Sequence, residues 1–344
     1  MNRKNLLLVS ILCCVIILGV IIFGSGIAVA APSSPTLVAS GLEGSTGAGS
    51  AVGPDGALYV TQAKAGVISR VDPKSGAVST FASGLPQAID GFPIGGVMDV
   101  AFIDGTAYAL TTLVSPALGG NPSDIAGIYR VDGTNSFTPI ADLGQFSLDH
   151  PPTADFDYFV PFGVQYTLEP FRDGFLVTDG HLNRVLYVTL DGEIEVVIQF
   201  GNTVPTGLAI HGNRIYMAEA GPVPHAAEDG KVVVFTPGSS SATEVGSGAP
   251  LLVDVEFGRG RTLFALSQGS FPSEEPYPDP GSAALPDTGS LVRVNDNGTF
   301  TFLAEELNQP TSFEIVQNSA YVVTLAGEVW KIGNVANPPF GLSR

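Results

Sequence analysis

The chain has 344 residues, 33 Asp and Glu against 15 Lys and Arg, and a formal net charge of −18. Charged residues are only 14%, while 42 residues are Gly, 26 are Pro and 44% are hydrophobic; this balance excludes a helical bundle and a disordered chain. An acidic surface of this kind repels nucleic acid and anionic lipid and can attract cations.

The N-terminus reads as an export leader. Arg3 and Lys4 precede an apolar run from Leu6 to Phe23, and Ala28-Val29-Ala30 supplies a small-x-small cleavage site. Residues 1–30 are therefore expected to be a signal peptide, with an uncleaved anchor as the alternative because the run is nearly long enough to span a membrane. Both cysteines, Cys13 and Cys14, fall inside it, so the mature domain folds without disulfides. Loss of Arg3 and Lys4 takes the net charge from −18 to −20.

Beyond the leader one unit recurs six times: four short strands separated by turns and one variable loop. The second strands align as Leu58-Tyr59-Val60, Ala107-Tyr108-Ala109, Phe175-Leu176-Val177, Ile215-Tyr216-Met217, Leu263-Phe264-Ala265 and Ala320-Tyr321-Val322. Turns such as Pro54-Asp55-Gly56 and Leu190-Asp191-Gly192 supply the positive φ of tight hairpins. A repeat of roughly 45 to 60 residues fits a four-stranded propeller blade with insertions. The sixth unit stops after its third strand at Gly333. Leu37-Val38-Ala39-Ser40-Gly41-Leu42 matches the fourth-strand segment Thr80-Phe81-Ala82-Ser83-Gly84-Leu85 and is expected to complete that last blade. The expected fold is an all-β, six-bladed propeller over 31–333, closed by its N-terminal strand, with 334–344 as a tail.

Other stretches carry a resemblance: Gly53-Pro54-Asp55-Gly56, Met98-Asp99-Val100-Ala101, Pro161-Phe162-Gly163, Thr178-Asp179-Gly180-His181-Leu182-Asn183-Arg184 and Val204-Pro205-Thr206-Gly207. In their order and spacing the chain resembles the ScyD/ScyE family of NHL-like secreted propellers. That resemblance implies export and no established reaction, and its naming suggests an accessory role in assembling a scytonemin-like secondary metabolite. The Pro-Asp-Gly turn is replaced in repeats 4 to 6 by His211-Gly212-Asn213, Arg259-Gly260-Arg261 and Gln317-Asn318-Ser319.

In a propeller, loops between second and third strands share a face with the links between blades. Here that face carries the long segments: 113–126, 221–230, 268–289 with Glu274, Glu275, Asp279 and Asp287, and the link 147–160 with Asp149, His150, Asp155 and Asp157. Long loops on a rigid scaffold are where binding concentrates.

Aligning the innermost strands places Gly49, Asp99, Gly163, Gly207, Asp254 and Ser312 at one position, and Ala51, Ala101, Gln165, Ala209, Glu256 and Glu314 two residues on, facing the same side. Asp99, Asp254 and Glu256 are the candidate metal ligands, for Ca²⁺, in a central channel. Caps on backbone N–H groups between blades are the other role open to Asp99 and Asp254. At the ends of the second strands Asp179 and Glu219 align with Gln62, Thr111, Ser267 and Thr324, so a polar rim is expected. Asp179, Glu219 and His225 are the candidate ligand-binding residues; Glu219 and His225 form the rim's one arrangement resembling an acid/base couple.

The sequence has no phosphate loop, no Gly-x-Ser-x-Gly elbow and no His-x-x-x-His pair. The expectation is an extracytoplasmic, monomeric, non-catalytic propeller that engages a protein, glycan or small molecule through its loop-rich face. It binds no nucleic acid and has no membrane span once the leader is removed. A metal-dependent hydrolase or lactonase of the gluconolactonase-like propeller type is the alternative.

Overall fold

The computed structural model describes residues 31–42, 49–272, 274, 278 and 281–336. The leader, both cysteines, Glu275, Asp279 and residues 337–344 lie outside the described residues. The described residues form six four-stranded antiparallel sheets arranged as the blades of a β-propeller.

Five blades use consecutive strands. The sixth takes its outer strand, Thr36–Ala39, from the start of the domain and pairs it with Val329–Gly333, with Leu37 opposite Trp330. Leu42, only 2% exposed, follows that strand and its amide donates to the Gly327 carbonyl at 3.0 Å. The ring is thus shut by antiparallel pairing of the two ends of the domain, which leaves no open edge between first and last repeats. Val335 and Ala336 stay buried beyond the last strand, their amides donating to the Asn318 carbonyl and Oδ1.

Burial explains the sequence pattern. Second strands such as Leu58–Gln62 and Leu263–Ser267 are buried at every residue because neighbouring blades cover both faces. Outer strands such as Val78–Ser83 are exposed over their first residues. A hydrophobic cluster fills each blade interface; Tyr59, Val100 and Ala109 join blades 1 and 2, and Leu168, Phe175 and Ile128 join blades 2 and 3. A further cluster, Ala220, Leu251, Phe271 and Ala284, packs the loops of one face onto the ring.

The link between blades 2 and 3 contains the one α-helix of the described residues, Leu143–Asp149, capped by Asp142 Oδ1, which accepts from the Gln145 amide at 2.8 Å.

Candidate functional site

The inner strands of all six blades surround a cavity of about 950 Å³ on the ring axis, which opens on the loop-rich face. Its mouth is apolar, with Phe92, Ile94, Phe159, Phe162, Tyr166 and Val223 on the wall. Its throat is acidic: Asp99, Glu169, Asp254, Glu256 and Glu314. Among the described residues that line it, none is Lys or Arg.

Strand register fixes which residues reach the throat. Ala51, Ala101, Glu169, Ala209, Glu256 and Glu314 each lie opposite the same position of the second strand: Tyr59, Tyr108, Leu176, Tyr216, Phe264 and Tyr321. Blade 3 therefore contributes Thr167 and Glu169, not Gly163 and Gln165 as aligned from the sequence. The run Pro161-Phe162-Gly163 mimics Pro205-Thr206-Gly207, but in blade 3 the strand begins only at Gln165. Gln165 is fully buried, its Oε1 accepting from Thr112 Oγ1 at 2.7 Å, and it staples blade 2 to blade 3. Gly163 lies in the preceding turn with φ +73°, beside the Asp179 carboxylate.

Asp99 and Asp254 have identical surroundings. Asp99 Oδ1 accepts from the Val100 amide and Oδ2 from the Leu168 amide of the next blade, both at 2.8 Å. Asp254 Oδ1 accepts from Val255 at 2.8 Å and Oδ2 from Phe313 of the next blade at 2.9 Å. Both aspartates thus make the inter-blade caps that the sequence left open. Among the described residues no cluster of three or more His, Cys, Asp or Glu side chains is arranged to hold a metal ion.

The throat resists ionisation. Burial, and then repulsion from Asp99 and Asp254, pushes the Glu169 carboxyl up to about 8. Burial raises Asp254 to about 7 against its two backbone hydrogen bonds. Burial, and then neighbouring carboxylates, hold Glu256 and Glu314 well above the usual range; burial does the same to Asp99. Burial is the cause common to all five, and repulsion between neighbouring carboxylates adds to it at Asp99, Glu169, Glu256 and Glu314.

The residues expected at a polar rim are equivalent, but they are buried rather than solvent-facing. Two of their side chains satisfy backbone outside the strands: Thr111 Oγ1 donates to the Ile125 carbonyl at 2.8 Å, and Ser267 Oγ to the Pro250 carbonyl. Asp179 is fully buried. It accepts from the Val164 and Leu182 amides and pairs with Arg184 at 3.4 Å, itself 1% exposed. Arg184 in turn donates to the His150 carbonyl at 2.7 Å and Ser147 Oγ at 2.9 Å, so the pair anchors the helix-bearing link. Glu219 is 6% exposed and burial pushes it up to about 7, but it does not line the cavity. No hydrogen bond between Glu219 and His225 is present among the described residues.

His225 does line the cavity, at 7% exposure. Its Nδ1 lies 2.7 Å from the Gly221 carbonyl and its ring meets Phe271 edge-on at 5.0 Å. Because a carbonyl can only accept, Nδ1 is the nitrogen that carries the proton of the neutral ring, which leaves the lone pair on Nε2; burial lowers the pKa and disfavours a second proton. His181, which the sequence did not single out as a site residue, also lines the cavity. Its Nε2 accepts from the Phe159 and Val160 amides at 3.1 and 2.9 Å and holds the link over the mouth.

No family model matches the chain, and no curated protein does. Solved structures do. Virginiamycin B lyase from Staphylococcus aureus is 15% identical, with a TM-score of 0.52 over 88% of this chain and 99% of that one. A gluconolactonase from Xanthomonas campestris is 11% identical, with a TM-score of 0.57 over 88% and 89%. The PQQ-bound aldose sugar dehydrogenase from Streptomyces coelicolor is 14% identical, with a TM-score of 0.53 over 88% and 98%. At such identities these structures share the propeller fold with this chain, and a fold hosts many chemistries.

Proposed function

We propose that the chain is an extracytoplasmic, monomeric, non-catalytic binding propeller whose ligand is a small molecule taken into the cavity on the loop-rich face. One observation carries this reading: a concave site of about 950 Å³, walled by loops packed onto a rigid ring. That volume is at the upper end for drug-sized ligands. A protein partner would call instead for a broad exposed surface. Export rests on the leader-type N-terminus, and kinship with ScyD/ScyE propellers, with the accessory role it suggests, rests on the order of the shared motifs.

A hydrolase or lactonase is the second reading, favoured by the raised carboxyls of Glu169 and Asp254, which could hold a transferable proton near neutrality. Its metal would have to share Asp99 and Asp254, whose four oxygens each already accept a backbone amide.

A thermal-shift screen of a small-molecule library tests the proposal, run on the wild type and on Ala51→Phe, which places a ring in the throat. Stabilising compounds whose effect disappears in the variant, and which are recovered unchanged, support it. Compounds that act equally on both proteins place binding elsewhere and overturn it; chemical conversion of a compound selects the hydrolase.

A further inference from the structure

The ionisable side chains at the throat are all carboxyls. Five carboxyl side chains converge at the throat, and the described lining holds no Lys or Arg to balance them. Asp99 and Asp254 are fixed by backbone amides, Asp99 by those of Val100 and Leu168 and Asp254 by those of Val255 and Phe313. No hydrogen bond to the Glu169 or Glu256 carboxyl is present among the described residues, and both are half-buried.

A separate element adds another acceptor. His225 comes from the loop after the second strand of blade 4 and is more than nine-tenths buried. Its Nδ1 is turned back onto the Gly221 carbonyl, so Nε2, which has no partner among the described residues, is the nitrogen available to the cavity. It carries a lone pair and no proton. A buried acceptor without a donor is a debt that a ligand can settle. Above the throat, Phe92, Phe159, Phe162 and Tyr166 offer aromatic faces, which suit an apolar body and attract cations.

Resting on the cavity reading above, we infer that the ligand is an organic cation: a protonated amine on an apolar or aromatic body, its N–H groups directed to Glu169, Glu256 and the throat and its body held at the mouth. A bare inorganic cation would leave the apolar mouth unfilled, and an anion would meet carboxyl groups with no Lys or Arg among the described lining residues to pair with it.

The test titrates the full chain near neutral pH and at low salt with 1-naphthylmethylamine, its uncharged counterpart 1-naphthylmethanol, and calcium chloride alone. The amine is expected to bind at least about tenfold more tightly than the alcohol, the range of a close buried charge pair. Glu169→Gln and Glu256→Gln are each expected to weaken the amine and leave the alcohol unchanged. Both substitutions remove a charge that the fold resists, so the variants remain folded, as their melting temperatures check. Equal binding of amine and alcohol overturns the cation inference and leaves the small-molecule cavity standing. Amine binding unmoved by both variants, or stoichiometric calcium that displaces the amine, overturns it too. No binding of either probe to a folded chain overturns the inference together with its site.

Discussion

Asp99 and Asp254 face each other from opposite blades and do the same work: each bridges its own inner strand to the next by accepting two backbone amides. The correspondence extends around the ring. Blades 1 to 3 present Gly49, Asp99 and Thr167 where blades 4 to 6 present Gly207, Asp254 and Ser312. The next row reads Ala51, Ala101 and Glu169 against Ala209, Glu256 and Glu314. The inner wall is thus two half-rings of one pattern, broken at one point, where Ala101 answers Glu256.

The glycines preceding each aspartate in this pattern are required by it. A Cβ on Gly207 would come within 2.7 Å of Asp254 Oδ1 and 2.5 Å of its Cα; one on Gly49 would overlap Asp99 Oδ1 and lie 2.6 Å from the Met98 carbonyl. Gly49→Ala and Gly207→Ala are each expected to destabilise the fold by about 1–3 kcal/mol, the usual cost of overpacking. Urea unfolding of the two variants measures it, and a neutral result at both would show that the carboxylates do not set the spacing.

The throat makes stability depend on pH in an unusual direction. The folded chain binds protons at Glu169 and Asp254 more tightly than the unfolded chain, whose ordinary values are 4.5 and 3.8. That contribution is full below the unfolded values and is lost as pH rises through about 7 and about 8. His181 and His225 act oppositely, because burial lowers them, and their contribution is lost only as pH falls below the ordinary 6.5. Between about pH 6.5 and 8.5 only the carboxyl effect operates. Melting temperature is expected to fall across that interval, and Glu169→Gln is expected to flatten the slope and raise the value at the alkaline end.

Two ion pairs of similar appearance differ in consequence. Arg184–Asp179 is sealed in the core, whereas Arg70–Asp55, at 2.6 Å, has both partners more than a third exposed. Arg184→Ala leaves a buried carboxylate alone and is expected to cost about 3–5 kcal/mol. Arg70→Ala is expected to cost less than about 1 kcal/mol. Denaturant unfolding of the two variants side by side checks the contrast.

Ring closure by Thr36–Ala39 has its own test. Deleting residues 1–42 removes the outer strand of blade 6 and the buried Ala39 and Leu42, and bares Val329–Gly333. Loss of the two side chains alone is expected to cost about 3 kcal/mol. A sharp drop in melting temperature, with association through the exposed edge by light scattering, is the expected outcome.

The ring was legible in the sequence because each blade repeats its buried second strand, and Leu37–Leu42 matched the outer strands it joins. The channel acids in blades 2, 5 and 6 followed from that repeat. Glu169 did not, because alignment on Pro161-Phe162-Gly163 overrode the hairpin. Counting back from the turn would have found it: Glu169 stands two residues before Phe171, as Ala101 stands before Ile103 and Ala209 before His211. Burial of Asp179 and Glu219 was not legible either. It depends on what packs over the strand ends, and no repeat in the chain encodes that.

A crystal structure of the full chain soaked with 1-naphthylmethylamine tests the central claim most directly. The account predicts the naphthyl ring among Phe92, Phe159 and Phe162 at the mouth, with the ammonium nitrogen within hydrogen-bonding distance of Glu169 or Glu256. Density for the amine on the outer surface with an empty throat, or with its nitrogen turned away from the carboxylates, would contradict it.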